Sequence, residues 1–367
     1  MTAASVPSAP STSPPTRFDL LDGLRGVAAV AVMVYHYTLH NSLHWLAGAW
    51  MAVDLFFVLS GFVIAHSFGR KIVAGMGLWR FVGLRLIRLG PLYVVGLLLG
   101  LGANLVLLGQ SEQQPFTGTD LAVATFWGAL WLPCFNNIAW PFGPHAVQGP
   151  IFPLNDPAWS LFFELFANLV FYLYVARTGR LSGKKLVLAA GMLFVGCTLY
   201  FRQFNPGWGQ DNFIFGFPRV TAEFFLGALI YQLQLHQRKG SWVLALLMGA
   251  LVLPFFLADF ARSSVVNALV LMPLAIVFLS RLPVDGWVRS LCAELGELSY
   301  PLYIVHFPVY RLAYNLSDLG SMPLVTQVLV TSALSVIVAL LLAQADRRWR
   351  QRLQAWFVGR STEHQLR

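Results

Sequence analysis

Charge is scarce in this chain: Asp, Glu, Lys and Arg make up 11% of its 367 residues, against 57% hydrophobic ones. That ratio excludes a soluble globular domain, which could not hide so much apolar surface, and the mean hydropathy of +0.64 agrees. Cysteine is also scarce. Cys134, Cys197 and Cys292 are dispersed and odd in number, so neither a disulfide framework nor a CxxC metal site is indicated. The first sixteen residues, MTAASVPSAPSTSPPT, carry no charged side chain. They lack the basic n-region and short apolar core of a signal peptide and read as a disordered tail over 1–16. Internal repeats, Gly-rich linkers and a soluble domain of appreciable size are all missing.

What the chain does hold is a succession of apolar runs of about 17–25 residues, the length that crosses a bilayer as a helix. Lipid offers the backbone no hydrogen-bond partners, so such runs are helices and not open strands. The expected fold is therefore all-α and polytopic, with about ten transmembrane helices. The spans fall at roughly 19–40, 50–68, 86–108, 157–176, 185–201, 219–235, 241–258, 264–280, 296–317 and 323–345. Residues 120–133, DLAVATFWGALWLP, are apolar but short, as in a re-entrant or interfacial segment.

Charge tests that choice. With ten crossings and a cytoplasmic N-terminus, only Arg202, Arg219, Arg262 and Arg311 of the 25 Lys and Arg fall outside. Counting 120–133 as a crossing would move most downstream cations outward, so both termini are expected in the cytoplasm. The net charge of +9 then reflects topology and calls for no nucleic-acid partner. The expected organisation is a cytoplasmic tail over 1–16, a membrane domain over 17–346 and a basic cytoplasmic tail over 347–367. The longest outer stretch, about 109–156, ends in NNIAWPFGPHAVQGPIFPLNDP, which has no Lys or Arg. It reads equally as an ordered lid or as a plain surface loop.

Ionisable residues inside lipid are costly, and they are either functional or snorkelled at a helix end. Arg25 and His36 lie eleven residues apart, three helical turns plus about 20°, so they share a face and are separated by roughly 16 Å. They can line one conduit, although Arg25 also suits an inner-edge anchor. His36, His40 and His44 recur every fourth residue, but no carboxylate completes a metal motif and no metal is expected. Asp54 and Glu164 fall near the outer ends of their spans. Either could serve a structural hydrogen bond; with His36 at the same depth they make candidates for acid–base chemistry. Arg85 and Arg88, three residues apart at a cytoplasmic end, read as positive-inside anchors or as a grip on phosphate.

Six motifs, in order from residue 17 to about 345, resemble the acyltransferase-3 family of integral-membrane acyltransferases. They are Arg25 and His36 after LDGLRG, AVDLFFVLSGF with Asp54, RLIRLGPLY with Arg85 and Arg88, and NDPAWSLFFE with Trp159 and Glu164. PRVTAEFFLGALI with Arg219 and Glu223, and LGELSYPLYIVHFPV with Ser299, Tyr300, Tyr303 and His306, complete the set. The FFE after WSL departs from the family's commoner small or aliphatic pair. The stand-alone form, without the SGNH-type esterase domain that the family often carries, is expected.

The resemblance implies an acyl-CoA donor, commonly acetyl-CoA, taken from the cytosol, and a hydroxyl of a glycan or glycolipid acceptor outside a bacterial inner membrane. It implies His36 as catalytic base or as an acyl-histidine intermediate, Glu164 and Asp54 orienting it or the acceptor, Arg25 along the donor's path, and Arg85 and Arg88 on its phosphates. His306 reads as a hydrogen-bond partner more than a second base. Trp127, Trp131, Trp140 and Phe142 could stack on sugars or form an interfacial belt. A transporter or flippase using the same polar path is the alternative, and a non-catalytic scaffold a third.

Overall fold

The computed structural model describes residues 18–39, 43–110, 116–135, 149–181, 183–202, 204–235, 240–258 and 264–365. The expected N-terminal tail, His40, Trp140, Phe142 and the centre of the outer loop lie outside the described residues. Within them every regular element is helical, apart from one isolated bridge between Pro150 and Gly209. The elements are α1 (Asp19–Thr38), α2 (Ala52–Val73), α3 (Leu78–Gln110), α4 (Gly118–Ala129), α5 (Ala158–Thr178) and α6 (Lys184–Phe201). Then come α7 (Phe213–Gln232), α8 (Trp242–Leu257), α9 (Ser264–Val266), α10 (Met272–Leu279), α11 (Gly286–Leu316) and α12 (Leu324–Gln365). A π-helical turn, Asn267–Leu271, joins α9 to α10, so Ser264–Leu279 runs as one short apolar helix.

Six helices are long and apolar enough to span a membrane: Ala49–Val73, which includes α2, together with α3, α5, α6, α7 and α12 as far as Phe357. The expected number was about ten, and four helices fall short for two reasons. α8 and Ser264–Leu279 are too short. α1 and α11 are long enough, at 20 and 31 residues, but their mean hydropathy is lowered by Asp22, Arg25 and His36 in α1, and by Arg311 and His306 with Pro301, Pro308 and several tyrosines in α11. α4, with 12 residues, is about 18 Å long and cannot cross. It starts at a capping box between Thr117 and Asp120 and lies against α3, where Tyr93 donates to the Gly128 carbonyl at 2.7 Å.

α1, α3 and α11 run parallel. Arg25 reaches Gly296 and Ser299 while Tyr37, three turns on, donates to the His306 carbonyl. Tyr300 donates to Leu89 O, and further along Arg311 donates to Asn104 and Asn315 to Ala103 O. α8 sits at the periphery, with Val243, Leu246 and Leu247 largely exposed, as a lipid-facing helix requires. α3 and α12 overrun their expected spans. At 33 and 42 residues they are about 50 and 63 Å long against roughly 30 Å of hydrocarbon, and each runs on through the glycines at its basic end, Gly83 and Gly90 with Pro91 in α3 and Gly359 in α12.

α2 and α7 touch backbone to backbone. A Cβ at Gly61 would overlap the Phe224 carbonyl oxygen, and one at Gly227 the Val58 carbonyl oxygen. Small residues are what allow such approach in lipid, where no hydrophobic force draws helices together. Gly61→Ala or Gly227→Ala is expected to cost about 1–3 kcal/mol or more through overpacking. Gly249→Ala in α8, where a Cβ meets open space, is expected to be harmless. Thermal melts of the detergent-solubilised variants check this; equal melting of all three would remove the close contact as a determinant of the fold.

Candidate active site

At the basic end of the α1–α3–α11 group lies a cavity of about 210 Å³. Its polar lining is Arg25, Ser60, Arg85, Arg88, Ser160, Glu164, Ser299, Tyr300 and Tyr303, with Phe56, Phe57, Val63, Ile64 and Leu161 among the apolar walls. Glu164, two turns into α5, accepts from Arg85 Nη2 at 2.7 Å and from Ser60 Oγ at 2.9 Å, both on Oε1. Arg25 Nε donates to Ser299 Oγ at 2.8 Å and its Nη2 to Gly296 O at 2.7 Å, with Asp22 at 3.3 Å. Ser299 can accept because its own hydroxyl donates one turn back to Gly296 O at 2.7 Å. Tyr303 shares a hydrogen bond of 2.8 Å with Ser160. Paired guanidiniums at the rim of a partly apolar cavity suit a phosphorylated ligand with a slender arm.

Ser299, Tyr303 and His306 are spaced i, i+4, i+7 on α11, one stripe, and the Tyr303 and His306 rings lie 6.1 Å apart. Beyond the cavity along that stripe, His306 Nε2 lies 3.0 Å from His36 Nδ1. The tautomers follow from the surrounding acceptors. His306 Nδ1 lies 3.1 Å from the Leu302 carbonyl, which only accepts, so Nδ1 carries that ring's proton and Nε2 a lone pair. His36 Nδ1 therefore carries the proton facing it, shared with the Val32 carbonyl at 3.0 Å. Neutral His36 thus keeps its basic lone pair on Nε2, the geometry of an oriented general base.

From spacing alone, Asp54 and Glu164 share a depth with His36. In the structure the acids have other neighbours. Glu164 joins Arg85 in the cavity, and Asp54 binds Arg219, whose Nε and Nη2 reach Oδ1 at 2.9 and 2.5 Å. Arg219 also donates to Asn205 and to Pro206 O, lies 5.8 Å from the Trp159 ring, and has Glu223 at 3.5 Å. Asn267, in the π-turn, donates to the other Asp54 oxygen at 3.0 Å. Asp54, Arg219 and Glu223 are each no more than 1% exposed.

Three participants escape a reading by motif. Ser60 lies inside VLSGF, and only the packing of α2 on α5 aims it at Glu164. Tyr37, beside His36, bonds Ser335 of α12 at 2.6 Å and so ties that helix to the site. Asp156, in the loop before α5, is pushed up to about 7 by burial, against the pull of Arg311. Among the described residues no three His, Cys, Asp or Glu side chains stand close enough to share a metal ion.

A family model described as an acyltransferase domain, of the acyltransferase-3 type, matches residues 18–344. Protein 2 in picA locus of Rhizobium radiobacter is 39% identical over 175 residues, 46% of this chain and 87% of that protein. Acyltransferase MdmB of Streptomyces mycarofaciens is 28% identical over 330 residues, 82% of this chain and 81% of that one. A Staphylococcus aureus (strain COL) protein provisionally named O-acetyltransferase SACOL0978 is 23% identical over 329 residues. That alignment covers 83% of this chain and 52% of the staphylococcal protein, so the chain spans about half of that relative's length. No solved structure matches. With the match running almost end to end over an all-helical membrane protein, the chain belongs to the acyltransferase-3 family and is an acyltransferase.

Proposed function

We propose that this protein moves an acyl group, most simply acetyl, from cytosolic acyl-CoA to a hydroxyl of a carbohydrate or glycolipid acceptor on the outer side of a bacterial inner membrane. The observation that carries the proposal is the parallel α1–α11 pair. It holds an arginine station, Arg25 with Ser299, and a histidine station, His36 with His306, on one face with the cavity between the basic end and the histidines. Ten crossings, made by the six qualifying helices with α1, α8, Ser264–Leu279 and α11, put both termini in the cytosol. The parallel run of α1, α3 and α11, the first, third and ninth crossings, supports that count.

In this reading Arg88 and Arg85 receive the donor's phosphates, Arg25 borders the path of its arm, and the thioester is brought to His36. His36 Nε2 removes the acceptor hydroxyl's proton as that oxygen attacks the thioester carbonyl. The C–S bond breaks, the thiolate leaves, and the imidazolium returns a proton to it. Glu164 holds Arg85 at the cavity wall, and Asp54 acts through Arg219 on the α2–α7 frame. Trp127 of α4 and Trp131 just after it, at the outer end, support an acceptor with sugar rings.

Purified protein in nanodiscs, given radiolabelled acetyl-CoA and a panel of glycan acceptors without any ion gradient, is expected to transfer label to an acceptor. A folded protein that neither binds CoA nor transfers label would overturn the proposal in favour of a transporter using the same polar path.

A further inference from the structure

Arg88, at the cavity mouth, stands 3.9 Å from Asp346 Oδ2 of α12. The same oxygen receives Arg350 Nε, one helical turn further along α12, at 2.8 Å. The Asp346 side chain is 2% exposed, whereas Arg88 and Arg350 are 32% and 24% exposed. One buried carboxylate therefore holds two guanidiniums and can neutralise only one. Two other acids at this end are engaged: Glu297 pairs with Arg347 at 3.0 Å, and Glu164 with Arg85. A surplus positive charge is thus fixed at a partly open rim. It is fixed because α12 does not end at the membrane. Phe357 packs into the space left by Gly83, which holds this part of α12 along the first turns of α3.

We propose that Arg350, oriented by Asp346, joins Arg88 in binding the phosphate groups of a soluble donor at the cavity mouth. Arg350 is a ligand residue and Asp346 a positioning residue. Paired guanidiniums present donors in the fork geometry that phosphate oxygens match. That the donor is an acyl-CoA rests on the function proposed above. The same chemistry could be supplied by an anionic phospholipid headgroup, and the test separates the two.

Wild type, Arg350→Ala, Arg350→Lys and Asp346→Asn are reconstituted in phosphatidylcholine nanodiscs, with a parallel set containing phosphatidylglycerol. CoA and inorganic pyrophosphate are titrated by calorimetry. The expected result is that Arg350→Ala weakens both ligands about tenfold, the loss of one charge-assisted hydrogen bond. Arg350→Lys should recover part of that affinity, and Asp346→Asn should raise KM for the donor with kcat little changed. If pyrophosphate binding is weakened in Arg350→Ala while CoA binds to neither protein, the phosphate site stands and the acyl-CoA reading falls. Equal affinities for both ligands in wild type and all variants would overturn the site. An effect of Arg350→Ala confined to phosphatidylglycerol discs would also overturn it, by making the occupant a lipid headgroup.

Discussion

Replacing His36 by alanine is expected to lower acyl transfer by about 10²–10⁴-fold, the usual contribution of a positioned general base, while CoA binding stays intact. The expectation rests on the hydrogen-bond chain Leu302 O–His306–His36, which directs the lone pair of His36 to Nε2. The donor's proposed contacts, Arg25, Arg85 and Arg88, lie toward the basic end and do not involve the imidazole. His306→Ala removes only the partner, and the Val32 carbonyl still holds His36 Nδ1–H. A smaller loss, in kcat more than in KM, is therefore expected. Parallel measurement of CoA affinity and single-turnover transfer for the three proteins decides the matter. Equal losses of binding and turnover in His36→Ala would mean that the histidine belongs to the donor pocket and not to the chemistry. A fully active His36→Ala would remove it from both.

The largest effect on stability is expected at Arg219. Its replacement by alanine leaves Asp54 and Glu223 facing each other at no more than 1% exposure with no cation between them. Breaking a buried ion pair by removing one member typically costs about 3–5 kcal/mol, enough to deplete folded protein from the membrane. Glu223→Gln should be mild by comparison. The cluster holds two carboxylates to one guanidinium, so losing that acid leaves the matched Asp54–Arg219 pair with its two hydrogen bonds. Fluorescence-detected size exclusion and thermal melts of the two variants test the contrast. If Glu223→Gln proves as damaging as Arg219→Ala, the charge count of the cluster does not govern its stability. Asp54→Asn adds a second decision, since a folded but inactive variant would give Asp54 a part in the reaction itself.

Much of this arrangement is legible in the sequence, and the divide between what is and is not has a physical origin. Spacing along one helix is encoded at 3.6 residues per turn, so the shared face of Arg25 and His36 follows from their separation, and both side chains do reach α11. The shortness of α4 follows likewise from the length of its apolar run. Which acid meets which base depends instead on contacts between helices remote in the chain. Glu164 meets Arg85 through the approach of α5 to α3, and Asp54 meets Arg219 only because Gly61 and Gly227 let α2 and α7 close together. Charge bias sets Arg219 and Arg311 on the outer side, yet both are buried among polar partners instead of lying in loops. Hydropathy marks where lipid begins, not where a helix stops, and so the continuation of α12 past residue 345 leaves no mark in the apolar pattern. The count of crossings is obscured for a related reason, because α1 and α11 carry the polar groups the site uses.

The partnership of α1 with α11 also sets an order of events during synthesis. Arg25 and Ser299 are 274 positions apart, and at about 5–20 residues per second a ribosome takes roughly 14–55 s to cover that distance. For that interval the first helix is already made while the helix that satisfies its arginine and histidine does not yet exist. Nascent α1 must therefore wait at the lipid interface, or under the cover of an insertion factor. The Arg25–Ser299 and His36–His306 contacts close only when α11 arrives, which makes them among the last parts of the molecule to mature.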